Sequence, residues 1–277
     1  MNANWHNVSR REPCPICHKT DWCTVSNDGA VCVCRRIESD RPAKSGYGWI
    51  HLLREPAADA TPIRRKPTTP LPASARPDFA RLHASYNGAA ELQDGLAFGL
   101  GLDGDSFAAL DVRYNAANEC MSFPMRDVEG DITGLRYRHL TTGQKWSAKG
   151  SKDGLFFSAD NPVRSPDEIV VTEGPTDTAA ALSLGLDAVG RSSCLAGTEL
   201  LRGFIRARRI RRVTIFADGD RPGIEGARRL SASLPVLSRI VLPPPAIKDL
   251  REWYRKGLRP AQFRNAASAA PWRCGAR

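Results

Sequence analysis

Apolar and polar positions change their rhythm along the chain, and three regions follow from that rhythm. From Asp167 onward, short β-branched runs (EIVVT, RRVTIFAD and SRIVLP) alternate with Ala- and Leu-rich stretches of helical character. Strand, helix, strand, helix predicts an α/β fold with a parallel sheet and right-handed crossovers. Between Asp78 and Asp160 the pattern starts as a helix. It continues as alternating segments, CMSFPMRD and DITGLRYRHL, separated by the turn signals EGD and TTG. That predicts an antiparallel sheet. The first fifty or so residues lack long apolar periodicity and end in Gly46, Tyr47, Gly48, Trp49 and Ile50, which reads as a small β module.

The stretch REPAADATPIRRKPTTPLPASARP, Arg54 to Pro77, is interrupted by proline throughout, and proline removes backbone donors and blocks continuous helix or sheet. The expected organisation is therefore a module at 1–53, a linker at 54–77, an antiparallel basic subdomain at 78–160, a parallel α/β domain at 161–250 and a tail at 251–277. Residues after Pro260 are Ala-rich and carry no further signal.

Composition narrows the function classes. Forty Lys and Arg against thirty Asp and Glu give a formal charge of +10, which favours a polyanionic partner. No apolar run approaches the roughly 20 residues that span a bilayer, and MNANWHNVSRREPC lacks the apolar core of a signal peptide. A cytoplasmic location without membrane contact is expected. In a reducing compartment, eight cysteines, five of them between Cys14 and Cys34, point to metal binding and not to disulfides.

Zinc takes four tetrahedral N or S ligands, and a Cys-x-x-Cys knuckle supplies two from one turn. Cys14, Cys17, Cys23 and Cys34 are the favoured set. His18 and Cys32 are reserves: a residue adjacent to Cys17 has awkward geometry, and the Cys-x-Cys pair is taken to send its thiols to opposite faces of a strand. The segment EPCPICHKTDWCTVSNDGAVCVCRRIES resembles the zinc ribbon of primase-like proteins from phages and integrated elements, where Cys-x-Arg-x-Glu-Ser closes the site. Here those residues are Cys34, Arg36, Glu38 and Ser39. Trp22, Arg35 and Arg36 are candidates to stack on bases or grip phosphates, and Trp22 equally suits the cover of a small core.

Two acidic motifs fall at ends of predicted strands, where open parallel sheets bind ligands. Glu173 follows EIVVT within Glu173-Gly174-Pro175-Thr176-Asp177, and Asp218-Gly219-Asp220 follows VTIFA. Hard oxygen donors without His or Cys suit Mg²⁺. A Glu after one strand and an Asp-x-Asp after a later one resembles the TOPRIM fold of primases, topoisomerases and some nucleases, over about residues 167 to 249. The resemblance adds Asp249, beside Lys248, as a looser third acidic position. Asp177 alone reads as a helix-start residue.

Upstream, GLRYRHLTTGQKWSAKGSKDGLFFS carries Arg136, Arg138, Lys145, Lys149 and Lys152 around Trp146. Cations interleaved with aromatics and glycines suit a single strand or a nucleotide. The order of its elements looks like the basic subdomain preceding TOPRIM in bacterial and phage primases. The resemblance implies a primase that joins ribonucleoside triphosphates on single-stranded DNA, with structural Zn²⁺ and catalytic Mg²⁺ or Mn²⁺. Metal ions on Asp218, Asp220 and Glu173 would bridge triphosphate and attacking hydroxyl, or Glu173 would act as a general base. No Gly-x-x-x-x-Gly-Lys-Ser/Thr loop occurs, so a separate helicase is the expected partner. Two alternatives share these features: a TOPRIM nuclease, and a non-catalytic single-stranded-DNA-binding replication factor. The basic run Arg202, Arg206, Arg208, Arg209, Arg211 and Arg212 reads as a solvated face or a contact to DNA backbone.

Overall fold

A computed structural model describes residues 5–41, 43, 48–53, 77–158, 160, 163–192 and 197–275. Residues 54–76 of the expected linker, together with Gly46 and Tyr47, lie outside the described residues. The chain divides into two units, Met1–Thr69 and Pro70–Arg277.

The first unit is an antiparallel sheet of four short strands in sequence order: β1 (Trp5–Asn7), β2 (Thr24–Ser26), β3 (Val31–Cys34) and β4 (Trp49–Leu52). The β2–β3 turn uses Gly29 at φ +68°, a conformation open to glycine without steric penalty. Ser26 Oγ closes that turn by accepting from the Val31 N–H at 2.9 Å. So few residues cannot enclose a large apolar core. The interior is instead four buried thiols, Cys14, Cys23, Cys32 and Cys34, with Val8 and Val25.

The second unit is built on a nine-stranded mixed sheet. Its antiparallel part comprises β5 (Arg113–Asn115), β6 (Cys120–Arg126), β7 (Ile132–His139), β8 (Lys145–Ser147) and β9 (Leu155–Phe156). The parallel part comprises β10 (Glu168–Glu173), β11 (Ala188–Arg191), β12 (Arg212–Phe216) and β13 (Leu237–Val241). The order is β13-β12-β10-β11-β9-β6-β7-β8, with β5 beside β6. Antiparallel pairing of β9 with β11 makes one continuous sheet from the two halves.

Helices cover both faces, which explains why the parallel strands read as unbroken apolar runs. In β10, Ile169 and Val171 enter one core with Val213, Ile215, Leu201 and Phe204, while Val170 enters the other with Phe107, Phe123, Ala180 and Phe216. The strand period of two makes that division. Covering helices are α1 (Phe79–Ala84), α2 (Ala90–Gly99), α3 (Gly104–Ala109), α4 (Pro175–Ser183), α5 (Thr198–Ala207), α6 (Arg221–Ser233), α7 (Leu250–Arg255) and α8 (Pro260–Ala269).

The C-terminal residues are more structured than their composition suggests. Phe263 of α8 is buried and stacks on Phe216 with centroids 6.3 Å apart. Beyond α8, Arg273 exchanges backbone hydrogen bonds with Ser238 on the edge strand β13, and the Arg239 guanidinium lies 4.3 Å from the Trp272 ring centroid. The arginine run around α5 is mostly engaged with its own protein. Arg208 packs over Phe204 at 4.1 Å, Arg211 pairs with Asp167 at 3.2 Å, and Arg212 faces Trp272.

Candidate functional site

In the first unit, the ligand atoms of Cys14, Cys17, Cys23 and Cys34 lie within 4.8 Å of one another. Arg35 and Ile37 donate backbone N–H groups to the sulfurs of Cys23 and Cys34, at 3.4 and 3.3 Å, as suits thiolates. Cys32 needs a correction. Residues two apart on a strand share a face, and both Cys32 and Cys34 point inward from β3. Cys32 Sγ lies 3.6 Å from Cys14 Sγ, so it abuts the cluster as a fifth thiol. His18 is not in the metal-compatible set and has φ +57°. Trp22 is 60% exposed, with the Arg36 guanidinium 5.6 Å from its ring centroid, so it does not cover the core.

In the second unit, the carboxylates collect at the C-terminal edge of the parallel strands. Glu173 is the last residue of β10 and lies in register with Arg191, the last of β11. Gly174, at φ +83°, turns the chain into α4, whose first turn carries the buried Asp177. Asp218 follows β12. Asp220 caps α6 by accepting from the Gly223 N–H at 2.8 Å, and Asp249 caps α7 by accepting from the Glu252 N–H at 2.7 Å.

These groups lie near enough to act on one another's charge, though among the described residues only the four cysteines bring ligand atoms within 4.8 Å of one another. Burial first, and then the charges of Asp177, Glu173, Asp249 and Asp220, push Asp218 up to about 9. Burial raises Glu173 to about 7, with Asp220 and Asp177 adding to the rise and Arg191 opposing it. Asp177 is raised to about 6 by burial and Asp249, opposed by the Arg251 N–H that it accepts at 2.9 Å. A protein that gathers carboxylates and leaves their repulsion unbalanced has a place for external positive charge. The donor set is all oxygen, which fits a hard divalent ion such as Mg²⁺ or Mn²⁺.

Of the five expected cations, Arg138 and Lys145 face this cluster from paired positions on β7 and β8. The charge of Arg138 is felt by Asp177 and Asp249, and that of Lys145 by Asp177. Lys145 reaches solvent but is crowded by protein, and its ammonium is pushed down by lost hydration and by Arg138. Arg136 donates to Ser147 Oγ at 3.1 Å, while Lys149 and Lys152 are exposed in the loop after β8. The motifs did not single out Asp177 or Arg251 as site residues. The available signal was Asp177 four residues after a strand-end Glu, one helical turn further along the same edge.

No family model matches the chain. It is 27% identical over 122 residues to the Gene 57 protein of Mycobacterium phage D29, covering 43% of this chain and 76% of that protein. Its structure is similar to a DnaG primase catalytic domain bound to single-stranded DNA, with a TM-score of 0.56 and 19% identity over 70% of this chain and 77% of that one. It is also similar to the primase fragment of the bacteriophage T7 primase-helicase protein, with a TM-score of 0.52 and 17% identity over 94% and 98% of the two chains. A mixed sheet with acids along its parallel edge, and a cysteine-centred β module ahead of it, thus gives this chain the fold of the DnaG-type and T7 primases.

Proposed function

We propose that the chain is a DNA primase, a nucleotidyltransferase that joins ribonucleotides into short primers on single-stranded DNA during replication of a phage or mobile element. One observation carries this reading: Glu173, Asp177, Asp218, Asp220 and Asp249 share one edge of the sheet, and Arg138 and Lys145 face them. Oxygen donors beside cations suit a metal-bound triphosphate.

Asp218, Asp220, Glu173 and Asp249 would hold Mg²⁺ or Mn²⁺. When bound, such ions offset charge on the entering and leaving oxygens of phosphoryl transfer. Arg138 and Lys145 would orient the phosphates. Glu173, raised to about 7, can carry or release a proton at its carboxylate near neutral pH, which keeps a general-base role open beside a ligand role. Lys149, Lys152 and Arg136 would extend the basic surface along the template. In the first unit, Cys14, Cys17, Cys23 and Cys34 would hold a structural Zn²⁺, and the exposed Trp22 with Arg36 would stack on template bases. We propose a separate helicase as partner. Among the described residues no helix is long and apolar enough to cross a membrane.

The test is incorporation of labelled ribonucleotides on single-stranded DNA with Mg²⁺ or Mn²⁺, comparing the native chain with an Asp218→Ala, Asp220→Ala double variant. Short products lost in the variant support a primase. Metal-dependent cutting of the template without synthesis would replace this reading with a nuclease. DNA binding with neither activity would replace it with an accessory binding protein.

A further inference from the structure

Arg251 stands two residues after Asp249, in the first turn of α7. Its backbone N–H donates to Asp177 Oδ1 at 2.9 Å, which ties this residue to the carboxylate edge. Its Nε is buried, and among the described residues no acceptor meets it. A buried donor without a partner costs about 1–3 kcal/mol, so packing alone is a poor reason to keep a guanidinium here.

The surroundings name the missing partner. Arg138 and Lys145 both lie within the electrostatic reach of Arg251, and each is repelled by it; Lys248 repels Lys145 as well. Cations brought together in this way favour a further anion beside them. The neighbouring carboxylates supply part of that charge: Asp177 feels the charges of Arg251 and Lys145 and accepts from the Arg251 N–H, and Asp220 and Asp249 cap helices, yet none of them meets the buried Arg251 Nε. A polyphosphate would satisfy both sets of groups: its oxygens can accept from a planar guanidinium, and its remaining charge can be shared with metal ions held by the acids.

We propose that Arg251 is a phosphate-binding residue that grips the triphosphate of the incoming nucleotide together with Arg138 and Lys145. This rests on the nucleotidyl-transfer reading above. The role of Arg251 is recognition of the phosphate chain and not of base or sugar, so it should serve all four nucleotides alike.

The experiment uses the full zinc-loaded chain with Ca²⁺, to limit turnover, and measures binding of a fluorescent ATP analogue, of inorganic tripolyphosphate in competition, and of a labelled single-stranded oligonucleotide. Arg251→Met is expected to weaken ATP and tripolyphosphate binding about tenfold, the loss of one charge-assisted contact. Arg251→Lys is expected to recover part of that loss, and both variants should bind the oligonucleotide within about twofold of the native chain. A tenfold loss of oligonucleotide affinity with ATP affinity unchanged would overturn the proposal and assign Arg251 to template phosphates. Unchanged binding of every probe would overturn it too. If Arg251→Met melts at a markedly lower temperature, Arg251→Lys carries the test, and tripolyphosphate affinity equal to that of the native chain would count against the proposal. A native chain that binds ATP through Arg251 yet makes no primers would sink the primase reading and leave this inference standing. Primer synthesis by the native chain, with no change in nucleotide KM for Arg251→Met, would do the reverse.

Discussion

The two units solve the problem of a functional centre in opposite ways. In the cysteine module the centre is the core: four thiols occupy the interior that a larger domain fills with leucine and phenylalanine. In the sheet unit the centre sits at the rim. The core lies beneath it on both faces of the sheet and would persist without it. The acidic rim is a burden on stability, because burial and mutual repulsion raise Glu173, Asp177 and Asp218 well above the ordinary carboxylate range. A small domain can depend on its metal to fold, whereas a large one can afford a site that works against folding.

That contrast breaks most visibly on metal removal. Structural zinc contributes apparent free energies of roughly 10–16 kcal/mol in small modules. Chelation, or Cys23→Ser, is therefore expected to unfold residues 5–53 while the melting of the sheet unit stays in place. Differential scanning calorimetry with limited proteolysis reads both, and loss of the two units together would show that the contrast is false. The reciprocal experiment is Phe204→Ala. The side chain is fully buried, so its truncation should cost the sheet unit about 3–5 kcal/mol and leave bound zinc unchanged by a colorimetric thiol and zinc assay.

The rim predicts a pH signature of the opposite sign from an ordinary salt-bridged carboxylate. Asp218, Glu173 and Asp177 have folded pKa values raised above their unfolded ones, so the folded protein binds more protons than the unfolded chain. Stability is full below about pH 4 with respect to these groups and falls as pH rises toward about 9. The metal-free sheet unit should lose melting temperature across that window, and millimolar Mg²⁺ should recover it. Asp218→Asn should flatten the slope and gain on the order of 2–3 kcal/mol at pH 8, and under the proposed function it should abolish primer synthesis. A melting temperature independent of pH from 5 to 9 would show that the acids do not share one field. The smallest effect expected is at Trp22. Its exposure predicts that Trp22→Ala leaves zinc binding intact and weakens single-stranded DNA binding by about 1–2 kcal/mol, within the range for one stacked base.

The strands β10, β12 and β13 could be located by eye because a strand buried on both faces must be apolar at successive positions, and EIVV, VTIF and RIV are short runs of that kind. The cysteine spacing was equally direct, since a knuckle motif is local in sequence. The four-thiol set excludes Cys32, as the spacing predicts, but the strand period of two puts Cys32 on the same inward face as Cys34 and not on the opposite one. Phe263 was missed for a different reason: one phenylalanine in an Ala-rich stretch has no period, and its burial depends on meeting Phe216, 47 positions earlier in the numbering.

By itself, then, the sequence determined the parallel strands and the acidic motifs Glu173 and Asp218-Gly219-Asp220 at or just beyond their ends, because periodicity and turn chemistry act over neighbouring residues. It also determined the identity of the four clustered thiols. Only the tertiary structure decided that β9 joins the antiparallel and parallel halves into one sheet, that Asp177 is a buried member of the acidic edge and not merely a helix start, and that Arg251 arrives beside it. Those outcomes depend on residues 74 positions apart meeting in space, and long-range pairing is set by how whole faces pack and not by any local signal.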